Sequence, residues 1–288
     1  MWFTDCIGKD AHPCQMRASG GSSLGMASSQ RMGNDDMDEM KVETAGGVMT
    51  ITFNRPEKKN AITDAMYGAF AAALTAAESD AGIKVAMIRG EGPDFCAGND
   101  ISTFAAVAAG QLDMADTNTH RFLDAISSFS KPLVAAVTGR AIGIGVTMLL
   151  HCDLVYVAED AQLRTPFIDL GLVPEAASGL LIPARIGHVR AFGLFALGEA
   201  LTGAEAAALN IANRALPADE VAASALTAAR ALAAKPLSAL IATKKLMRDH
   251  EAIAAALKAD GAAFVKQLGT PEAAAAFAAF AARKAAPA

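Results

Sequence analysis

The sequence predicts an α/β fold built on a mostly parallel sheet covered by helices. Segments of strand and helix character alternate from Val48 onward, which implies right-handed crossovers between parallel strands. The segment LVAAVTG (133–139) is a continuous apolar run, as suits a strand buried on both faces. Hydrophobic residues make up 53% of the 288 and charged residues 19%, enough apolar surface for a sizeable core.

Taken in order, VMTITF (48–53) alternates as a strand and ends at Asn54-Arg55-Pro56. Thr63 and Asp64 cap an alanine-rich helix that runs through about Glu78. KVAMIRG (84–90) is a second strand, closed by the turn residues of GEGPDF. LVAAVTG leads into GRAIGIG and then a helix carrying VTMLL, and DLVYVAE (153–159) is a further strand. From about Asp219 the chain is helical in propensity, broken by Pro236, Gly269 and Pro271. The run AAAAFAAFAARK near the end is apolar on more than one face, so it needs a partner surface, expected on another subunit. The divisions expected are an extension over 1–43, a core over 44–235 and a C-terminal helical region over 236–288.

The extension is rich in Gly, Ser, Asp and Met and has no apolar period. It reads as disordered, or as sequence upstream of a later start such as Met26 or Met37. It has no h-region of a signal peptide, and its acidic residues argue against a transit peptide. GSSLG (21–25) matches a nucleophile-elbow pattern but has neither the preceding strand nor the following helix. Cys6, His12 and Cys14 lack a fourth ligand, so no metal site is expected. The four cysteines form no CxxC pair, which fits a reducing, cytoplasmic setting. A net charge of −5 and the absence of a basic stripe argue against nucleic acid as a partner. The longest apolar stretch is interrupted by Arg140, so no membrane span is expected.

Two strand-to-helix loops can carry chemistry. Gly143-Ile144-Gly145 opens a helix, yet position 148 is methionine, so the third glycine of a dinucleotide fingerprint is missing. The loop still offers main-chain amides with little side chain to block them, although its glycines also suit close helix packing. PDFCAGND (93–100) offers the same through Ala97 and Gly98. Loops at one end of a parallel sheet can face each other, and two convergent amides can hold an oxygen that gains negative charge.

The blocks NRPEKKNAI, FCAGNDI, the long run from KPLVAAVTGRAIGIGVTMLL to GLVPEAASG, and ALTGAEAAALNIANRALP resemble, in this order, the enoyl-CoA hydratase/isomerase (crotonase) superfamily. The likeness runs from about Val48 to about Lys245. It implies a spiral of stacked ββα units, a C-terminal helical region, homotrimers or hexamers, and acyl-CoA thioester substrates. It places the two oxyanion amides on Ala97 and Ile144, and the thioester end of the pocket along Ala97, Gly98, Asn99, Asp100 and Ile101.

Hydratases of that family carry one glutamate after the glycine loop and another in the following block. Here those places hold Thr147 and Phe167. The remaining acid is Glu175, in LVPEAAS, and the combination resembles the peroxisomal-type Δ3,Δ2-enoyl-CoA isomerase branch. The resemblance makes Glu175 the base of a double-bond shift in fatty-acid β-oxidation, with a pKa raised by walls of Phe167, Leu172 and Val173. CoA is then part of the substrate, and no other cofactor is called for. Without the resemblance, Pro174-Glu175 is an ordinary helix start. Asp169 is a rival acid that reads better as a surface or capping residue, and Asp100 as a cap. Arg55, Lys58 and Lys59 either touch CoA phosphates or form a solvated face. His151 and His188 read as structural. Two other functions stay open: an isomerase of ring-derived thioesters such as epoxyphenylacetyl-CoA, and a non-catalytic acyl-CoA-binding protein.

Overall fold

A computed structural model describes residues 39–100, 114 and 117–285. Among these residues nine strands form two sheets. The larger holds β1 (Met40–Ala45), β2 (Val48–Phe53), β3 (Val85–Gly90), β4 (Leu133–Val137), β6 (Leu154–Ala158) and β9 (Arg214–Leu216), in the order β1-β2-β3-β4-β6-β9. The smaller holds β5 (Arg140–Ile142), β7 (Gln162–Arg164) and β8 (Ala200–Thr202). All neighbours in the large sheet are parallel except β1 and β2, which form a hairpin. From β4 to β7 successive strands go alternately to the two sheets: β4 then β5, β6 then β7. That alternation is the spiral of strand pairs the resemblance implied.

β1 begins at Met40, so residues 40–43, assigned to the extension, are strand. β1 is an edge strand with five of its six residues exposed, so its sequence MKVETA carries no apolar period to announce it. The residues before 39 lie outside those described.

The helices are α1 (Asp64–Ser79), α2 (Thr119–Ser128), α3 (Ile144–Thr147), α4 (Ser178–Ile186), α5 (His188–Ala196), α6 (Gly203–Ala208), α7 (Ala218–Ala233), α8 (Leu237–Met247), α9 (His250–Leu268) and α10 (Pro271–Ala285). α1 starts where expected: the Thr63 hydroxyl accepts from the Met66 N–H at 3.2 Å. Its last turn is closed by Lys131, whose ammonium donates to the carbonyls of Ala77, Asp80 and Ile83. α7 lays Val221, Ala225 and Ala229 on the sheet, small residues that permit close approach. Phe53, Phe70, Phe95 and Phe122 form an aromatic chain with centroids 4.9–6.0 Å apart, joining sheet, α1 and α2.

A second apolar cluster brings Phe167, Leu172, Phe264 and Leu268 together with Ala273 and Phe277 of α10. The terminal helix therefore finds a partner surface within its own chain, against the loop before α4. Gly171 makes the contact possible: a methyl there would lie 2.8 Å from the Ala273 backbone. α9, by contrast, carries Gly261 in its interior, which weakens a helix by about 1 kcal/mol relative to alanine. No single helix among the described residues is long and apolar enough to cross a membrane.

Candidate active site

The two glycine-bearing loops are zipped together by main-chain bonds. The Cys96 N–H donates to Arg140 O at 2.9 Å, and the Ile142 N–H to Cys96 O at 2.9 Å. Their closeness requires glycine at 145, where a methyl would sit 2.8 Å from the Cys96 carbonyl oxygen. Asn60 pins the first loop from below, its side-chain amide donating to Glu91 O and Asp94 O. Arg55 is spent on Glu39, Asp100 and the Ala61 carbonyl, so it serves the scaffold and not a phosphate. Lys58 and Lys59 are exposed. Asp100 pairs with Arg55, and Ile101 lies outside the described residues.

The amide expected of Ala97 is already committed: its N–H donates to Lys59 O at 2.9 Å. The open amide is two residues on. In the parallel bridge between Ile62 and Asn99, Ile62 bonds to Gly98 O and to the Asp100 N–H, both at 2.8 Å. Residue 99 then turns its own N–H the other way. The N–H groups of Asn99 and Ile144 carry no hydrogen bond among the described residues. Which amide of CAGND stays open depends on this pairing register, which the sequence does not display.

Glu175 and Asn99 line one cavity of about 500 Å3, walled by Met114, Leu123, Leu257 and Phe264. The carboxyl is 8% exposed and accepts from the Thr147 hydroxyl at 2.7 Å. The walls differ from those expected: Phe167 and Leu172 belong to the second apolar cluster, which reaches the cavity through Phe264. Asp169 points outward in an exposed pair with Arg164, 3.0 Å away.

A sequence model of the enoyl-CoA hydratase/isomerase family matches residues 43–286. The chain belongs to this family. It is 35% identical over 238 residues to enoyl-CoA delta isomerase 2 of Rattus norvegicus, covering 80% of this chain and 61% of that one. It is 32% identical over 209 residues to the 1,2-epoxyphenylacetyl-CoA isomerase of Escherichia coli, covering 71% and 80%. The chain thus spans about three fifths of the rat relative's length. Among solved structures, Pseudomonas aeruginosa OdaA superposes with a TM-score of 0.79 at 40% identity, over 84% of this chain and 98% of that one.

In this enoyl-CoA hydratase/isomerase member, the segment after Glu175 is held in a costly shape. Ala176 and Ala177 both adopt left-handed conformations, φ 58° and 57°, each costing about 1 kcal/mol or more for a residue with a Cβ. Two side chains hold the pair. His151 donates Nε2–H to Ala176 O at 2.9 Å, with its Nδ1 facing Arg248. Burial drives the His151 pKa down to about 4, so the ring stays neutral, as its structural reading required. Asp260, on α9, lies close to the Ala177 N–H; burial raises its pKa to about 6 while that N–H opposes the rise, and its Oδ2 is buried with no partner among the described residues. Sequence reading missed Asp260. Its one signal was an acid beside the apolar positions Leu257, Gly261 and Phe264 of a helix.

Burial pushes the Glu175 pKa up to about 7; the Thr147 hydroxyl opposes the rise and the charge of Asp260 adds to it. Tyr67 also faces this region. Its buried hydroxyl donates to Asn99 Oδ1, and burial followed by the Glu175 charge raises its pKa well above the ordinary value. A base with these properties works as the carboxylate, so activity is expected to fall about tenfold per pH unit below about pH 7 and to level off above it. Asp260→Asn keeps the size of the side chain and a carbonyl oxygen near the Ala177 N–H but removes the charge. The acid limb of its kcat/KM profile is expected at lower pH than in the parent. An unshifted limb in a pH-rate titration would separate Asp260 from Glu175.

Proposed function

We propose that this protein shifts a 3-enoyl-CoA double bond to the 2-trans position, with Glu175 as the acid/base. The observation that carries the reading is one carboxyl on the cavity wall among the described residues, buried beside apolar side chains, with Thr147 donating to it from the place where hydratases of the family have their first glutamate. Phe167 holds the place of the second. Asp260 is near, but it faces the Ala177 N–H and is not among the described residues that line the cavity.

In the proposed reaction the Glu175 carboxylate removes a proton from C2, beside the thioester carbonyl. Electrons move onto the carbonyl oxygen, and the resulting enolate is held by the N–H groups of Asn99 and Ile144. The enolate then collapses: the C2–C3 double bond forms as the former C3–C4 pair takes the proton from Glu175 at C4. One acid on one face suffices, and proton transfer of this kind calls for no redox cofactor, CoA being part of the substrate. The two described cysteines, Cys96 and Cys152, are free thiols, which suits a cytoplasmic setting. The exposed apolar residues Val189, Phe192, Leu246 and Met247 suit a homotrimer or hexamer.

Purified protein given 3-hexenoyl-CoA is expected to produce the conjugated 2-enoyl thioester, scored by its absorbance, faster than it hydrates 2-hexenoyl-CoA. Faster hydration, or turnover of ring-derived thioesters alone, would overturn the assignment.

A further inference from the structure

Glycines in this fold usually have a packing reason. A methyl at Gly203 would lie 1.8 Å from Ala158 O, and one at Gly145 2.8 Å from Cys96 O. Gly261 has none among the described residues: a methyl there meets nothing of theirs within 4 Å, and its backbone is ordinary α-helix. The helix carries a weakening residue at a point where alanine would fit. Its position supplies the reason. Gly261 lines the cavity with Leu257, four residues earlier, and with Phe264 and Val265, three and four residues later, so all four share one face of α9. Met114 and Leu123 complete an apolar lining around a space whose carboxyl is Glu175.

We infer that Gly261 sets the length of acyl chain the site accepts, by leaving open a path along the Leu257–Phe264 face of α9 for an alkyl tail that extends beyond the reacting carbons. The inference rests on the acyl-CoA reading above and narrows it: the substrates are thioesters of linear chains long enough to reach α9. Side chains at 261 grow into the space the tail occupies, while alanine spares most of it.

Binding of saturated, unreactive acyl-CoAs tests this independently of isomerisation. In calorimetric titrations the full-length protein is expected to bind dodecanoyl-CoA at least about tenfold more tightly than hexanoyl-CoA, as buried methylenes accumulate. Gly261→Leu is expected to erase that difference, weakening dodecanoyl-CoA about tenfold while hexanoyl-CoA stays within about twofold. Gly261→Ala is expected to raise the thermal midpoint by a few degrees, as a better helix former, and to keep most of the chain-length preference. A parent protein with no preference for the longer chain overturns the inference without any variant. So does a Gly261→Leu protein that unfolds cooperatively yet binds both thioesters as the parent does, or loses both equally. A protein that shows the preference but does not isomerise 3-enoyl-CoA would contradict the proposed reaction and leave the role of Gly261 intact.

Discussion

Glu175→Gln is expected to lower kcat for 3-hexenoyl-CoA by at least about a thousandfold while acyl-CoA binding changes by less than about threefold. General acid–base catalysis by one positioned group contributes about a hundredfold to ten-thousandfold, and here one carboxyl makes both transfers. Glutamine keeps the volume and an acceptor for the Thr147 hydroxyl, so the 2.7 Å contact and the turn beyond it survive. Single-turnover kinetics with a titration of hexanoyl-CoA measure the two quantities separately. Near-parental turnover in the glutamine variant would remove Glu175 from the chemistry.

The second large effect is expected at Gly145. Alanine there places a carbon 2.8 Å from Cys96 O and 3.3 Å from Cys96 Sγ, and the first of these is rigid main chain. The loops must part, and the Ile144 and Asn99 amides part with them. Loss of one donor to a developing oxyanion costs about a hundredfold to a thousandfold in kcat, and overpacking costs about 1–3 kcal/mol of stability. Gly145→Ala is therefore expected to lose about a hundredfold in kcat and several degrees in the thermal midpoint. Unchanged kcat in a protein of lowered midpoint would mean that the spacing of those amides does not matter to the reaction.

The parts of the fold that were legible in the sequence are those with long, regular periods. β2, β3, β4 and β6 and the cap at Thr63 fall where alternation, apolar runs and capping chemistry placed them. β5, β7 and β8 have three residues each, too few for any period to register. β1 is an edge strand whose exposed residues look like loop. The intrachain docking site of the terminal helix, built from Gly171, Phe264 and Leu268, was not legible because it is assembled from distant segments. Of the candidate residues, Glu175 was named from its block and lies on the cavity wall, and Ile144 was named from the glycines around it. The Ala97 N–H is spent on Lys59 O, because the direction of an N–H follows from strand pairing, not residue type. Asp260 and His151 meet at the Ala176–Ala177 turn only through tertiary structure.

The zipper between the 96–98 and 140–142 segments is made entirely of backbone groups. A separation fixed by peptide units tolerates exchange of most side chains along it, so long as glycine persists at the points of contact. Relatives could therefore swap acids around such a frame, and acquire a different reaction, without rebuilding the anion-holding part. On that view, the division of labour between inherited main chain and interchangeable carboxyl is what lets one architecture diversify.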